Sequence, residues 1–236
     1  MRDTVRIWIL PARPGPAELA RYDAVLTADE RARAAALGPA AARDRFTVAH
    51  GALRLLVGAA LGVAPGRLAW RRGRYGKPTL TEPRGGPQTS LSYSDDLVAV
   101  AVAVGGWRPV GVDIQHVTPD RDPTALAARF FAAGEARHVG SGSDVAGRAD
   151  RFARLWARKE AVVKAAGERL WPHLALPVHR GDVVACGDPP GVHRVTDVAT
   201  PAAYRVAVAL TGDAPYDTAS FHGLDDPSGP VPRPAG

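Results

Sequence analysis

The sequence predicts a mixed α/β fold in two halves of similar size. Three observations carry that expectation: short apolar segments of strand length, Ala- and Arg-rich segments of helix length beside them, and a loose repeat of that order in the second half. The 236 residues suffice for one large domain or two small ones with a buried core.

Along the chain, TVRIWIL at Thr4–Leu10 places Val5, Ile7 and Ile9 on one face, as a half-buried strand does. Helical segments are expected over Glu18–Leu37 and Ala41–Leu61, the second ended by Gly62 and Pro65. Strand candidates follow at Leu68–Arg72, Ser90–Ser94, Leu97–Val104 and Val110–Gln115, linked by Gly- and Pro-rich turns that favour antiparallel hairpins. In the second half helices are expected over Thr124–Val139 and Ala149–Ala166, then strands at Asp182–Cys186, Val192–Val198 and Tyr204–Leu210. From Gly212 to Gly236 the composition predicts a loose tail. The expected domains are 1–108, 109–211 and that tail, 212–236.

Charged residues make up 23% and hydrophobic ones 46%, the composition of a globular protein. No apolar stretch approaches the ~20 residues that span a bilayer. The start, MRDTVRIWIL, is charged where a secretory signal is apolar, and a lone Cys186 has no internal partner, so a cytoplasmic, reducing environment is expected. The net charge of +6 favours anionic partners. Several chemistries lack their motif: there is no GxxxxGK[ST], no GxGxxG, no GxSxG, no HExxH and no CxxC. Only three of the 30 cationic residues are lysine: Lys77, Lys159 and Lys164.

Four segments can carry chemistry. In VGVDIQ, strand alternation puts Asp113 and Gln115 on one face; they could ligate a hard cation such as Mg²⁺, or Asp113 could cap a turn or pair with an arginine. In LWARKEAVVKAAG, Trp156, Glu160 and Lys164 fall at i, i+4 and i+8, one helical stripe; such a Glu–Lys pair is also common as an exposed contact. In RRGRYGKP, Gly76 and Pro78 present Lys77 at a tight turn beside Arg72 and Arg74, a cradle for phosphate or a solvated basic loop. SLSYS at 90–94 is a short hydroxyl-rich strand.

Taken in order, YGKP (75–78), LSYS (91–94), GVDIQ (111–115), FFAAGE (130–135) and WARKEAVVK (156–164) resemble the 4′-phosphopantetheinyl transferase family. The length points to its monomeric, surfactin-synthetase-activating (Sfp) type. The resemblance covers about residues 27 to 170, and all three lysines fall inside its motifs. It implies two similar subdomains related by a pseudo-twofold, and transfer of the phosphopantetheine arm of coenzyme A to a serine of an apo acyl or peptidyl carrier protein, for polyketide or nonribosomal peptide assembly. Adenosine 3′,5′-bisphosphate leaves, and Mg²⁺ neutralises the diphosphate. By resemblance Asp113, Gln115 and Glu160 are metal ligands, Glu160 is also the base, and Lys164 holds the pyrophosphate. Lys77, Ser92 and Tyr93 match positions that contact coenzyme A, and Arg33 and Arg72 join that phosphate-binding set, with Thr47 and His50 as weaker members.

Two positions depart from the family pattern. Tyr93 stands where a histidine is usual and brings no positive charge at neutral pH. Gln115 stands where many members have glutamate, which is expected to weaken Mg²⁺ binding. Two other readings compete: a basic nucleic-acid-binding protein, which would not need Asp113 or Glu160, and another coenzyme-A-dependent transferase, which would not need a metal-ligand pair. The resemblance predicts neither nucleic acid nor membrane as a partner.

Overall fold

The computed structural model describes residues 3–73, 75–105 and 107–224; Arg74 and the last part of the expected tail lie outside them. By its contacts the chain divides into two units, one running to Trp107 and resuming at Tyr216, the other Arg108–Pro215.

In the first unit, strand β1 (Thr4–Pro11) is followed by helices α1 (Pro16–Ala24), α2 (Ala28–Ala35) and α3 (Ala40–Leu61), a hairpin of β2 (Ala69–Arg72) and β3 (Pro78–Glu82), and then β4 (Gln88–Ser94) and β5 (Leu97–Val104). β5 pairs antiparallel with both β1 and β4. That central position explains its unbroken apolar run: both faces are covered, so every residue from Val98 to Val104 is buried. Leu10, Val100 and Val102 pack with Val48, Leu53 and Val57 of α3.

The second unit repeats this order. β6 (Val110–His116) leads into α4 (Thr124–Phe130), α5 (Ala133–Gly140) and α6 (Val145–Ala166), then β7 (Val183–Cys186), β8 (Gly191–Val198) and β9 (Tyr204–Thr211). The sheet order is β6-β9-β8-β7, all antiparallel, with β9 returning beside β6 as β5 returns beside β1. α3 and α6 are both 22 residues long and both stop at a left-handed glycine, Gly62 and Gly167. The α/β class and the small antiparallel sheets are those the sequence predicts, and the repeat lies in topology rather than in letters.

Four elements differ from the sequence expectation, the first being strand β3, which none of the expected strands covers. The segment expected as one helix over Glu18–Leu37 is broken, because Thr27 accepts from the Glu30 amide and Glu30 from the Thr27 amide, a capping box that starts a new helix. The segment over Thr124–Val139 breaks likewise, at Phe131 and Ala132, whose extended backbones end α4 and begin α5. Residues Asp217–His222, expected within a loose tail, form strand β10, which pairs parallel with β1 and stacks Phe221 on Trp8 at 5.1 Å. Pairing with a distant strand and the Phe221–Trp8 stack order that polar stretch, and its own pattern is too short to show it.

Candidate active site

In the second unit the site is built where α6 lies on β6. Gly111 makes this approach possible: a Cβ there would stand 2.0 Å from the Ala161 carbonyl oxygen and 2.5 Å from the Ala165 amide nitrogen. With no side chain at 111, the helix backbone settles on the strand, and Lys164 reaches across. Its Nζ donates to Asp113 Oδ1 at 2.7 Å and to the Val112 carbonyl at 3.2 Å. Asp113 is 5% exposed, so its charge would be costly without that ammonium. Of the two structural roles open to Asp113 from sequence, ion pairing is realised, with a lysine rather than an arginine.

Glu160 stands one turn before Lys164. Burial pushes its carboxyl above the usual carboxylate range, and Asp113 pushes it further, against the pull of Lys164. The Asp113 charge is thus felt at Glu160. Gln115 lies two residues along β6, half-buried, its amide donating only a long 3.4 Å bond to the His116 carbonyl. Among the described residues no cluster of three or more histidine, cysteine or acidic side chains could hold a metal. The oxygen donors here are two carboxylates and an amide, a set of the hard-ligand type that suits Mg²⁺.

Trp156, on the same stripe, turns to packing: it lies 5.7 Å from Phe152 and 6.4 Å from Phe131. Lys159 does not share the stripe's exposure. It is fully buried, ion-paired with an equally buried Glu135, bonded to the Leu176 carbonyl, and set 4.6 Å over the Phe131 ring. Glu135 also accepts from the Val178 amide at 2.6 Å, so this pair ties α5, α6 and the segment after α6 together behind the site. Sequence reasoning places Glu135 in a motif without a role, because its partner Lys159 stands on another helix and only packing joins them.

The first unit carries the other predicted residues. Lys77 sits in the β2–β3 turn, closed by bonds from Gly73 N to the Lys77 carbonyl and from Gly76 N to the Gly73 carbonyl, both 2.9 Å. Gly76 has φ +88°, which favours glycine. Burial pushes the Lys77 amine down to about 8. Arg72 lies opposite Pro78 in that hairpin. Arg33 sits 4.8 Å over Phe46, and its guanidinium is pushed down by burial and then by Arg72, with Tyr93 acting in the opposite sense. The charges of Arg72 and Tyr93 are thus felt at Arg33. Ser92 and Tyr93 point to opposite faces of β4, the serine 7% and the tyrosine 45% exposed. Thr47 is buried on α3, and His50 stacks on Phe46 at 4.0 Å, pushed down to about 4 by burial and therefore neutral.

The sequence family described as the 4′-phosphopantetheinyl transferase superfamily matches residues 109–208, the stretch that holds Asp113, Gln115, Glu160 and Lys164. The chain is 34% identical over 170 residues to the 4′-phosphopantetheinyl transferase HetI of Nostoc sp., covering 71% of this chain and 70% of that one. The chain belongs to the 4′-phosphopantetheinyl transferase superfamily. It is 32% identical to slr0495 of Synechocystis sp., provisionally named for the same activity, over 69% of this chain and 65% of that one. It is also 32% identical, over 52% of this chain and 47% of that one, to the L-aminoadipate-semialdehyde dehydrogenase-phosphopantetheinyl transferase of Eremothecium gossypii. The chain is thus an enzyme of the transferase class, and no helix among its described residues is long and apolar enough to cross a membrane.

Proposed function

We propose that this transferase is of the surfactin-synthetase-activating type and moves the phosphopantetheine arm of coenzyme A to a serine of an apo acyl or peptidyl carrier domain, serving polyketide or nonribosomal peptide assembly. The observation that carries the reading is Lys164 bonded to the buried Asp113, one helical turn from Glu160, within the stretch that matches the family.

The serine Oγ forms a bond to the phosphorus that bears the pantetheine arm, and the bond from that phosphorus to adenosine 3′,5′-bisphosphate breaks. Glu160 takes the serine proton, directly or through one water. Lys164 stabilises charge on the departing phosphate and holds Asp113 in place. Mg²⁺ held by Asp113, Glu160 and the Gln115 oxygen would neutralise the diphosphate. Arg33, Arg72, Lys77, Ser92 and Tyr93 form the phosphate-binding set of the first unit. The proposed division of labour is coenzyme A binding in residues 1–108 and the metal site in residues 109–211. The excess positive charge steers the enzyme toward acidic carrier domains. We read the enzyme as a cytoplasmic monomer.

Intact-mass analysis of apo carrier proteins incubated with the enzyme, coenzyme A and Mg²⁺ tests this. Peptidyl and polyketide-type acyl carriers gain one phosphopantetheine group, and the gain disappears with chelator. Failure with every carrier tested, despite measurable coenzyme A binding, overturns the reading.

A further inference from the structure

The elements that carry Arg33 and Arg72 are each too small to hold a fixed place alone. α2 has eight residues, short of the roughly 12–15 at which an isolated helix holds in water. β2 and β3 form a two-stranded sheet of their own, which is marginal by itself. Both elements must therefore be fixed from outside, and one buried side chain of α3 bonds to the two together.

That side chain is Arg54, 3% exposed. Its Nε donates to Glu30 Oε2 at 2.7 Å, and its Nη1 donates to the carbonyls of Pro65 at 2.9 Å and Leu68 at 3.0 Å. Glu30 belongs to α2, where it also accepts from the Thr27 amide and hydroxyl. Burial pushes the Glu30 carboxyl up, but the bonds from Arg54 and Thr27 outweigh it and hold the group below the usual carboxylate range. Arg33 follows Glu30 within one helical turn. Pro65 and Leu68 form the entry to β2, the strand that Arg72 closes. Gly58 gives that entry room on α3, since a Cβ there would stand 2.7 Å from the Val63 carbonyl oxygen. A guanidinium directs its donors in a rigid plane, so three bonds from Arg54 set α2 and the hairpin entry against each other. Buried this deeply, Arg54 acts on a ligand only through the elements it holds.

We propose that Arg54 is a positioning residue for coenzyme A binding: bonded at once to α2 and to the entry of β2, it keeps Arg33 and Arg72 at the spacing that one phosphate-bearing ligand requires. The proposal rests on the coenzyme A reading above.

Steady-state kinetics, calorimetric titration with coenzyme A and thermal melts test it. The variants are Arg54→Lys, Arg54→Met, the double variant Arg54→Met/Glu30→Gln, and Arg33→Ala with and without Arg54→Lys. Lysine keeps the charge but lacks the planar fork, so Arg54→Lys weakens coenzyme A binding by about tenfold, the size of one charge-assisted contact. KM for coenzyme A rises in step, while kcat stays within about twofold and KM for the carrier is unchanged. The double variant regains most of the melting temperature that Arg54→Met loses, because both buried charges go together and glutamine keeps the helix cap. Its coenzyme A affinity stays low, since nothing bridges the two elements, and it carries the test if Arg54→Lys does not fold. In the Arg33→Ala background Arg54→Lys costs at most about threefold, because its effect runs through Arg33. Unchanged affinity in folded Arg54→Lys, affinity that returns with stability in the double variant, or a full tenfold loss without Arg33 overturns the assignment and leaves the coenzyme A reading standing. A wild type that does not bind coenzyme A overturns both.

Discussion

Lys164 and Asp113 are 51 residues apart in sequence and 2.7 Å apart in space, because Gly111 lets α6 lie directly on β6. The contact joins the two most specific motifs of the chain into one site. It also sets what a substitution in either motif does, because the ammonium, both carboxylates and the glycine share a single helix–strand contact.

Gly111→Ala tests that contact. The added methyl collides with helix backbone, which has no side-chain rotamer to yield, so α6 shifts away from β6. The expected outcome is a melting temperature lower by several degrees and a transfer rate reduced by at least tenfold, with coenzyme A affinity affected less. Thermal melts with steady-state kinetics check it.

The buried Lys159–Glu135 pair predicts a different pattern. Glu135→Leu leaves a buried ammonium without its carboxylate, costing about 3–5 kcal/mol, and Lys159→Met costs a similar amount. The double variant recovers most of that loss, because removing both charges together leaves neither unpaired. Chemical denaturation of the two single variants and the double variant measures the coupling.

The site was only partly legible in the sequence. Asp113, Glu160 and Lys164 could be read from motif spacing because a strand's period of 2 and a helix's of 3.6 fix which side chains share a face. Glu135 could not, since its partner, Lys159, comes from another element and only tertiary packing pairs them. In the fold, the central strand β5 was plain from its run of Leu, Val and Ala. The hairpin strand β3 was missed because Pro78 opens it, and β10 because its stability resides in the neighbour it pairs with. The break between α1 and α2 was readable in principle, since Thr27 and Glu30 have the spacing of a capping box.

Lys77 makes coenzyme A binding pH-dependent if it holds a phosphate. Its amine titrates at about 8 rather than near 10.5, so its charge is present at pH 7 and is lost as pH rises through 8. Coenzyme A affinity therefore falls between pH 7 and 9.5, and Lys77→Arg flattens the fall. The sign for folding is opposite: the folded state binds fewer protons than the unfolded one between about 8 and 10.5, so this group's contribution to stability rises with pH over that window. Titration calorimetry and urea melts across this range check both signs.

Gln115→Glu supplies the site with one more negative charge beside Asp113 and Glu160. The expected result is a lower Mg²⁺ concentration at half-maximal transfer rate, by a few-fold. A half-maximal concentration that does not fall removes Gln115 from the proposed ligand set.

Glu160 tests the account most directly. Because burial and then Asp113 disfavour its charge, against the pull of Lys164, Glu160→Gln raises the melting temperature at pH 7.5. The same variant loses the proposed base and a metal ligand. The deciding measurement is single-turnover quantification of holo-carrier and adenosine 3′,5′-bisphosphate from coenzyme A and an apo carrier, in the wild type and Glu160→Gln, with Mg²⁺ or chelator. Equal amounts of the two products from the wild type with Mg²⁺, and a rate at least a hundredfold lower in Glu160→Gln, are the predicted result. Transfer at the wild-type rate in a folded Glu160→Gln variant would contradict it.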